Sequence, residues 1–239
     1  DRIVGGINTL SSKNIANFYR LFIKGKVYET SMKTAEMCKL IENSFRDVNI
    51  AFANELSMIC EAQGINVWDL IQLANKHPRV NILQPGVGVG GHCIAVDPWF
   101  IISKDKKNTN LIKSARQVNN NKSKWVFKKI KKLADKYYFI NKSKPQIVCL
   151  GLTYKADTDD LRESKALEVV KKLISQNYKV LAVDPNIKSN KNFELVNFSE
   201  GIKKGHIFCI LVKHREFLLP KIRNYLKKSG AVDYCGLLN

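Results

Sequence analysis

The sequence predicts an α/β protein in which a helical first part is followed by a parallel β-sheet flanked by helices. Over about Lys33–Gln63, apolar residues recur at the 3.6-residue period of an amphipathic helix. Beyond Pro145, short apolar strands alternate with helical segments, which is the pattern of a parallel sheet. A hydrophobic content of 45% excludes a disordered chain, and 239 residues can form one large or two small cores.

Residues 1–30 are predicted to form a strand, a helix and a second extended segment. The strand is RIVGGI, the helix is SSKNIANFYRLF with Ser11 or Ser12 as its N-cap, and the extended segment is KVYETS. The chain opens at Asp1, without a Met, and its first residues already belong to a strand. We therefore expect these residues to be the end of a domain that begins upstream of Asp1.

The helix over Lys33–Gln63 is expected to stop at Gly64, because glycine favours the left-handed conformation of a helix C-cap. A helix of this length is unusual within one globular domain. It is typical of a spine between domains or of a subunit interface. A second helix is expected over about Val67–Asn75 and is ended by His77-Pro78.

Two further helices are expected before the sheet. A short apolar helix starts at Pro98, and a polar helix runs from about Asn110 through Lys136, with Asn119–Lys122 as a candidate interruption. Ser164 is expected to cap the helix SKALEVVKKLISQ within the sheet region. The strands of the sheet are expected in QIVCLGL, YKVLAVDP, GHIFCILV and GAVDY.

The net charge of +19 lies almost entirely in the second part of the chain. Residues 1–100 hold 10 Lys and Arg against 9 Asp and Glu, whereas residues 101–239 hold 30 against 12. The excess is in Lys-rich segments such as SKDKK and KSKWVFKKIKK, which are typical of solvated helix faces. We therefore expect no nucleic-acid partner, while the positive field suits an anionic small-molecule substrate.

The six cysteines are widely spaced, form no C-x-x-C pair and lie mostly in apolar stretches, which is typical of reduced, buried thiols in a cytoplasmic protein. We expect no export signal, because the N-terminus lacks an apolar core, and no membrane span, because the longest apolar run is Ile207–Val212. No two of the four histidines have metal-ligand spacing, so no metal is expected.

One cysteine, Cys93, lies in the glycine-rich segment PGVGVGGHCIAVDP. Gly86, Gly88 and Gly91 match the G-x-G-x-x-G spacing of a dinucleotide loop. The context fails, because no strand precedes the loop, Pro85 adjoins it and no helix of suitable length follows. Two interpretations stay open: a loop that cradles a diphosphate and presents a thiol, or a tight structural turn around a buried cysteine.

Two pairs of polar residues have the i,i+4 spacing that places side chains on one face of a helix. Cys93 and Asp97 share a face if a helical turn begins at the cysteine, and Lys39 and Asn43 share a face of the long helix. Taken singly, Lys39 also fits a charged surface ladder and Asn43 a solvated amide.

Three long segments follow one another along the chain: KTAEMCKLIENSFRDVNIAFANEL, NKHPRVNILQPGVGVGGHCIAVDPWF and GLTYKADTDDLRES. Together they resemble the nucleotide-sugar 6-dehydrogenase family, which oxidises UDP-glucose, GDP-mannose or UDP-N-acetylhexosamines. HPRVN and GHCIAVDPWF most resemble the branch that acts on UDP-N-acetyl-D-mannosamine.

The resemblance implies a domain order. Residues 1–30 correspond to the remnant of an N-terminal NAD-binding domain, and residues 31–120 to a central helical dimerisation domain built on the long spine helix. Residues 121–239 correspond to a Rossmann-like, parallel-sheet domain that binds the UDP-sugar. The family's own NAD-binding glycine fingerprint does not occur in this sequence, so we expect the chain alone to bind UDP-sugar without oxidising it.

The family oxidises the C6 alcohol of the sugar to a carboxylate with two NAD⁺, through a thiohemiacetal and a thioester on a cysteine. Cys93 matches this nucleophile. Lys39 matches the lysine that lowers the pKa of the thiol and stabilises oxyanions at C6. Asn43 matches an asparagine that holds water or the oxyanion, and Asp97 a carboxylate that orients the lysine or water.

Other matches concern binding. Arg79 matches an arginine that reaches the substrate of the neighbouring subunit in a homodimer, and Arg162 an arginine near the cofactor. Tyr154 and Lys155, in LTYK, match residues that hold the sugar. The alternatives are a non-catalytic dimerisation and UDP-sugar-binding module, a UDP-N-acetylglucosamine 6-dehydrogenase, and a basic nucleic-acid binder. The loop expected against the substrate phosphates contributes Gly86, Gly88, Gly90 and Gly91.

Overall fold

The computed structural model describes residues 1–189, 191 and 193–239. Its first unit is a parallel βαβ unit, in which β1 (Arg2–Gly6) and β2 (Val27–Ser31) pair in parallel and are joined by α1 (Thr9–Arg20). The predicted order of strand, helix and extended segment is confirmed.

The predicted N-cap of α1 is wrong, because the helix begins earlier than expected. Asn8 is the cap, and its side-chain oxygen accepts the Ser11 N–H at 2.8 Å. Ser12 is buried, and its hydroxyl accepts the N–H of Gly6 at 2.8 Å. This serine therefore ties α1 to the end of β1 instead of starting the helix.

The long helix α2 (Met32–Gln63) has the predicted extent, beginning one residue earlier. Ser31 accepts the Thr34 N–H at 3.2 Å as its N-cap, and Gly64, with a φ of 69°, ends it. At 32 residues it is about 48 Å long, so it contacts the βαβ unit as well as the later helices. The predicted second helix follows as α3 (Val67–Ala74).

Helices α4 (Asp97–Lys104) and α5 (Asn110–Asn141) complete the helical part. The expected interruption at Asn119–Lys122 is wrong, because α5 is continuous through these residues. Two of these residues are turned into the protein: Asn119 and Lys122 are buried and form hydrogen bonds with α2. The polar composition here marks a polar interface between helices.

The second part of the chain contains a four-stranded parallel sheet with strand order β4-β3-β5-β6, which confirms the predicted sheet. The Ser164 cap is also confirmed, since its hydroxyl accepts the Leu167 N–H at 3.2 Å. All strands run in one direction, so the loops after them meet at one edge. The elements are β3 (Gln146–Leu150), α6 (Lys165–Ser175), β4 (Lys179–Val183), α7 (Phe198–Lys204), β5 (Ile207–Ile210), α8 (Pro220–Lys228) and β6 (Val232–Asp233).

Both faces of this sheet are buried, as the near-continuous apolar runs predict. Ile147 and Cys149 of β3 belong to the core beneath α5 and α6, whereas Val148 and Leu150 belong to the core beneath α7 and α8. Because α5 packs against both α2 and α6, it joins the helical part to the sheet. Within the described residues, no helix has the length and apolar content needed to cross a membrane.

A polar seam, formed by Asp47, Asn54, Arg116 and Asn119, lies between α2 and α5. Arg116 Nη1 donates to Asp47 Oδ1 at 2.6 Å, and Asn119 Nδ2 donates to the same oxygen at 2.7 Å. Asn54 Nδ2 donates to Asn119 Oδ1 at 2.9 Å, and all four side chains are buried. A shift of one helix along the other would leave buried charges unpaired, so the polar seam fixes their register.

Lys122 lies further along the same interface. Its Nζ donates to the Ser57 hydroxyl at 2.6 Å and lies 3.8 Å from the centre of the Trp125 ring. Burial lowers the pKa of Lys122 to about 7, although the Glu61 carboxylate acts in the opposite direction. The charged form of this lysine is therefore disfavoured in the folded protein.

We expect Lys122→Met to change how the free energy of unfolding depends on pH. Below about pH 7, Lys122 is charged in both states, and burial of the charge penalises the folded state. Above that value only the unfolded state keeps the proton, so stability rises with pH. Wild type should gain about 2–3 kcal/mol relative to the variant between about pH 6.5 and about pH 9 in urea unfolding. Lys128→Met, at an exposed position of α5, is the control, and a parallel pH dependence of wild type and Lys122→Met would contradict the expectation.

Candidate active site

A buried amide and a carboxylate meet at the start of α4. Asn43, on α2, is 5% exposed, and its Nδ2 donates to Asp97 Oδ2 at 2.5 Å. A helical turn begins at the cysteine, as a shared face of Cys93 and Asp97 requires, because the Cys93 carbonyl oxygen accepts the Asp97 N–H at 2.8 Å. Cys93 is solvent-exposed, which argues against a structural turn around a buried thiol. Three of the four predicted catalytic residues therefore converge on one turn.

Lys39 lies one helical turn before Asn43 on α2, as its spacing predicts. Its side chain is 66% exposed, and its Nζ lies 3.6 Å from the Glu42 carboxylate. It lines a cleft of about 470 Å³ between α2 and the βαβ unit, together with Cys38 and Tyr28. The structure therefore pairs Lys39 with Glu42 and does not bring its ammonium group to the thiol.

Two glycines of the loop pack against the segment that follows β3. A Cβ added to Gly90 would overlap the carbonyl oxygen of Glu163. A Cβ added to Gly91, which has a φ of 82°, would lie 2.8 Å from the Tyr154 ring. The Gly91 N–H also donates to the Arg162 carbonyl oxygen at 3.2 Å. Close contact between two parts of the chain therefore accounts for both glycines.

The other two glycines, Gly86 and Gly88, lie against residues of the polar seam. Gly88 has a φ of 124°, and a Cβ there would lie 2.7 Å from the Asn119 carbonyl oxygen. The Gly86 N–H donates to Asn54 Oδ1 at 2.8 Å, but a Cβ at Gly86 would meet nothing within 4 Å. Gly86 is thus the position at which the loop leaves open space for a ligand.

Arg162 lies near the exposed thiol. Its guanidinium donates to the Asp160 carboxylate at 2.7 and 3.0 Å. These hydrogen bonds lower the pKa of Asp160 to about 2 and raise the pKa of Arg162, to which Tyr154 and Cys93 add smaller electrostatic contributions. Lys155 is exposed, with its Nζ 5.5 Å from the centre of the Tyr154 ring. The segment after β3 therefore brings a cation and an aromatic ring near Cys93.

Arg79 lies on the exposed turn after α3. Its backbone N–H donates to His77 Nδ1 at 3.3 Å. Within the described residues, its guanidinium has neither a hydrogen bond nor an ion pair. The side chain is consequently available to a ligand or to a neighbouring molecule.

Cys93 differs from the other cysteines in its exposure. Cys60, Cys149 and Cys209 are buried, as the sequence predicts for structural thiols, whereas Cys38 and Cys235 are half-buried. Burial raises the pKa of Cys149 to about 12. Thiolate chemistry with a dissolved ligand is therefore best suited to Cys93.

Sequence reasoning missed two buried polar groups. The polar seam could have been found from the polar residues at otherwise apolar positions of α2 and α5. The second group lies at the carboxyl edge of the sheet, where His214 and Asp184 are buried after β5 and β4. Potential metal-ligand atoms of Asp157, His214 and Glu216 lie within 4.8 Å of one another, which the sequence spacing does not indicate. The absence of a metal stays a prediction.

The chain belongs to the UDP-glucose/GDP-mannose dehydrogenase family. The family's central domain matches residues 33–121, and its UDP-binding domain matches residues 148–239. The exposed cysteine and the Asn43–Asp97 pair lie within the first match, while Tyr154, Lys155 and Arg162 lie within the second.

Individual relatives are named for N-acetylated sugars. A UDP-N-acetyl-D-mannosamine dehydrogenase of Campylobacter jejuni is 50% identical over 226 residues, which are 91% of this chain and 54% of the relative. An NDP-N-acetyl-D-galactosaminuronic acid dehydrogenase of Ralstonia solanacearum is 50% identical over 222 residues, covering 91% of this chain and 51% of the relative. A solved UDP-D-ManNAc dehydrogenase from Pyrococcus horikoshii aligns with a TM-score of 0.85 at 34% identity, covering 99% of this chain and 56% of that one. The chain spans about half the length of these relatives.

We expect alanine substitutions at two glycines of this loop to differ in their effect on the free energy of unfolding. Gly90→Ala places a Cβ against a backbone oxygen of Glu163, so it should lower the free energy of unfolding by about 1–3 kcal/mol. Gly86→Ala, whose Cβ meets open space, should stay within about 0.5 kcal/mol of wild type. Urea denaturation of both variants provides the comparison. Equal stability of the two would refute the close contact described for Gly90.

Proposed function

We propose that this chain is the sugar-binding, thiol-bearing part of an NAD-dependent UDP-N-acetyl-D-mannosamine 6-dehydrogenase. The observation that supports this most is the exposed Cys93 at the turn into α4, beside the Asn43–Asp97 hydrogen bond and near Arg162. A reactive thiol next to an oriented carboxylate suits the formation and hydrolysis of a thioester. Membership of the family gives this chemistry its context.

The chemistry assigned to this chain is the covalent part of the oxidation. The Cys93 thiolate adds to the C6 aldehyde of the sugar and forms a thiohemiacetal, and water later hydrolyses the thioester to the carboxylate. When bound, two NAD⁺ in turn would supply the hydride acceptors, one for oxidation of the alcohol to the aldehyde and one for oxidation of the thiohemiacetal to the thioester. Asp97, held by the Asn43 amide, would orient the hydrolytic water and accept its proton.

Lys39 is proposed to stabilise negative charge at C6. In the present conformation its ammonium group lies beside Glu42, and both side chains are more than 60% exposed. An exposed ion pair of this kind contributes less than about 1 kcal/mol. Lys39 can therefore leave Glu42 for a stronger partner, such as an oxyanion at the substrate.

The glycine loop does not fit a dinucleotide. No strand leads into it, and Gly88, Gly90 and Gly91 lie against other parts of the chain. We therefore assign no cofactor step to the loop, and Arg162 is the residue proposed to approach the cofactor. The same packing favours the second candidate function, a dimerisation and UDP-sugar-binding module that performs no oxidation by itself.

The proposed substrate is a UDP-N-acetylhexosamine. Relatives named for mannosamine and for galactosaminuronic acid are equally similar in sequence, at 50% identity. The solved mannosamine enzyme is 34% identical to the chain, against 25% for a solved galactosaminuronic acid enzyme, and this difference supports the mannosamine derivative. Lys155 and Tyr154 are proposed to hold the nucleotide-sugar, with the open backbone at Gly86 near its phosphates and Arg79 reaching the substrate of a partner subunit.

A homodimer is proposed on the apolar stripe of α2. The stripe follows the helical period predicted from the sequence, yet its members are between 44% and 67% exposed in the single chain. An exposed apolar face of this length is typical of a subunit interface, and a second copy can cover it in a symmetric manner. The stripe consists of Met37, Ile41, Phe45, Phe52 and Ile59.

We expect iodoacetamide to modify Cys93 at least about tenfold faster than the buried thiols Cys149 and Cys209, because only an accessible thiolate reacts. UDP-N-acetyl-D-mannosamine should slow the modification of Cys93. Cys235, which is half-buried after β6, is the internal control and should not be protected. Peptide mass spectrometry at several times reports each site. Unprotected modification of Cys93 at saturating UDP-sugar would argue against the proposed substrate site.

We expect the 27.2 kDa chain to behave as a dimer in light scattering, and Phe45→Asp to convert it to the monomer. The reason is that a carboxylate in the centre of an apolar interface would be buried without a partner. Phe139→Asp is the matched control, since Phe139 is 75% exposed at the end of α5 and outside the stripe. A monomeric wild type at about 50 μM, or a dimeric Phe45→Asp, would disprove the interface.

A further inference from the structure

His214 is a buried histidine to which the proposed chemistry gives no role. It follows β5 at the carboxyl edge of the sheet, and it is 0% exposed. A lone buried histidine can be a packing residue. Here, however, both ring nitrogens have partners from the loops after β3 and β4, and those partners lead to the segment that contains Tyr154 and Lys155.

The hydrogen bonds of His214 define its tautomer. Nδ1 accepts the backbone N–H of Asp157 at 3.1 Å and lies 2.9 Å from the Asn186 amide nitrogen. Since Nδ1 is an acceptor, the proton is on Nε2 in the neutral ring. Nε2 then lies 3.2 Å from Asp184 Oδ2 and 3.3 Å from the Thr153 hydroxyl, with which it shares a hydrogen bond.

Asp184, which lies next to the His214 ring, accepts hydrogen bonds from two backbone N–H groups. Its Oδ2 accepts the Leu152 N–H at 2.7 Å, and its Oδ1 accepts the Asn186 N–H at 2.9 Å. Burial raises the pKa of Asp184, but the hydrogen bonds from His214, Leu152 and Asn186 outweigh it, so the pKa lies below its ordinary value. The carboxylate is therefore ionised and able to accept all of these bonds.

The loop of residues 152–157 is consequently held at both ends. Asp184 binds the N–H of Leu152, and His214 binds the N–H of Asp157. Between these two points lie Tyr154, which packs on Gly91, and Lys155. The position of Tyr154 beside the glycine loop, and of Lys155 next to Tyr154, thus depends on the His214–Asp184 pair.

A metal at this place is a weaker interpretation, although ligand atoms of Asp157, His214 and Glu216 lie within 4.8 Å of one another. A metal would need the lone pair of His214 Nδ1, which already accepts the Asp157 N–H. The loop would have to move before a metal could bind.

The geometry points to His214 as a positioning residue that, together with Asp184, holds the loop of residues 152–157 so that Tyr154 and Lys155 face the nucleotide-sugar. This role rests on the proposed function, because it presupposes that the loop binds UDP-sugar. His214 itself touches neither the sugar nor the thiol in this assignment.

The test compares UDP binding by the 239-residue chain and three variants in calorimetry. His214→Phe keeps an aromatic ring and removes both hydrogen-bonding nitrogens, so the dissociation constant should rise at least about tenfold. His214→Gln keeps a donor and an acceptor and should restore binding to within about threefold. His206→Phe is the control, since His206 also accepts a backbone N–H, from Gln146, but is exposed at the amino end of β5.

Amide hydrogen exchange separates positioning from general destabilisation. In His214→Phe, exchange should accelerate at Leu152 and Asp157, while the amides of β3 and β5 stay protected. Wild-type affinity of His214→Phe for UDP, or unchanged exchange at these two amides, would overturn the proposal. Failure of the wild-type chain to bind UDP would contradict the proposed function instead. The exchange measurement alone would then show whether His214 holds the loop of residues 152–157 in place.

Discussion

The buried ion pair between Asp47 and Arg116 is the interaction on which the arrangement of the site depends. Burial raises the pKa of Asp47 despite the opposing effect of Arg116, and within the described residues Asp47 Oδ2 and Arg116 Nε have no hydrogen-bond partner. Such a pair adds little net stability, because desolvation offsets the attraction. Breaking it by removing one partner costs about 3–5 kcal/mol, so it selects one alignment of α2 and α5 over all others.

This alignment determines where the glycine loop can lie. Asn54 of the polar seam accepts the Gly86 N–H, and the Asn119 backbone oxygen touches Gly88. On its other side the loop is packed against Tyr154 and the segment after β3. The turn with Cys93 is therefore held between a pair of helices and the edge of a sheet, which is a common position for ligand sites at domain junctions. Buried groups therefore fix the position of this turn, although the thiol itself is exposed.

Much of this arrangement could be predicted from the sequence, because it follows local periodicity. The extent of α2 and the parallel sheet follow from hydrophobic spacing and cap residues, whereas the helical turn at Cys93 was only the condition under which Cys93 and Asp97 would share a face. The continuity of α5 through Asn119–Lys122 could not be predicted, since polar residues in a helix have the same appearance whether they face solvent or another helix. The spacing of the glycines likewise did not reveal why glycine is needed at these positions. The groups that leave no room for a Cβ at Gly90 and Gly91 belong to Glu163 and Tyr154, which lie far along the chain.

The exposure of the site groups indicates how the proposed reaction would be completed. An aldehyde and a thioester are protected from side reactions only where water access is controlled, yet Cys93 is open to solvent and Lys39 is paired with a surface glutamate. The apolar stripe on α2 runs along the same helix as Lys39 and Asn43, and Arg79 has an unpaired guanidinium within the described residues. At 100° per residue, the stripe lies on the face of α2 opposite to Lys39 and Asn43, so a second copy on the stripe would hold α2 in place without covering the lysine. Dimerisation and chemistry are then linked through one helix, and the polar seam that aligns α2 with α5 serves both.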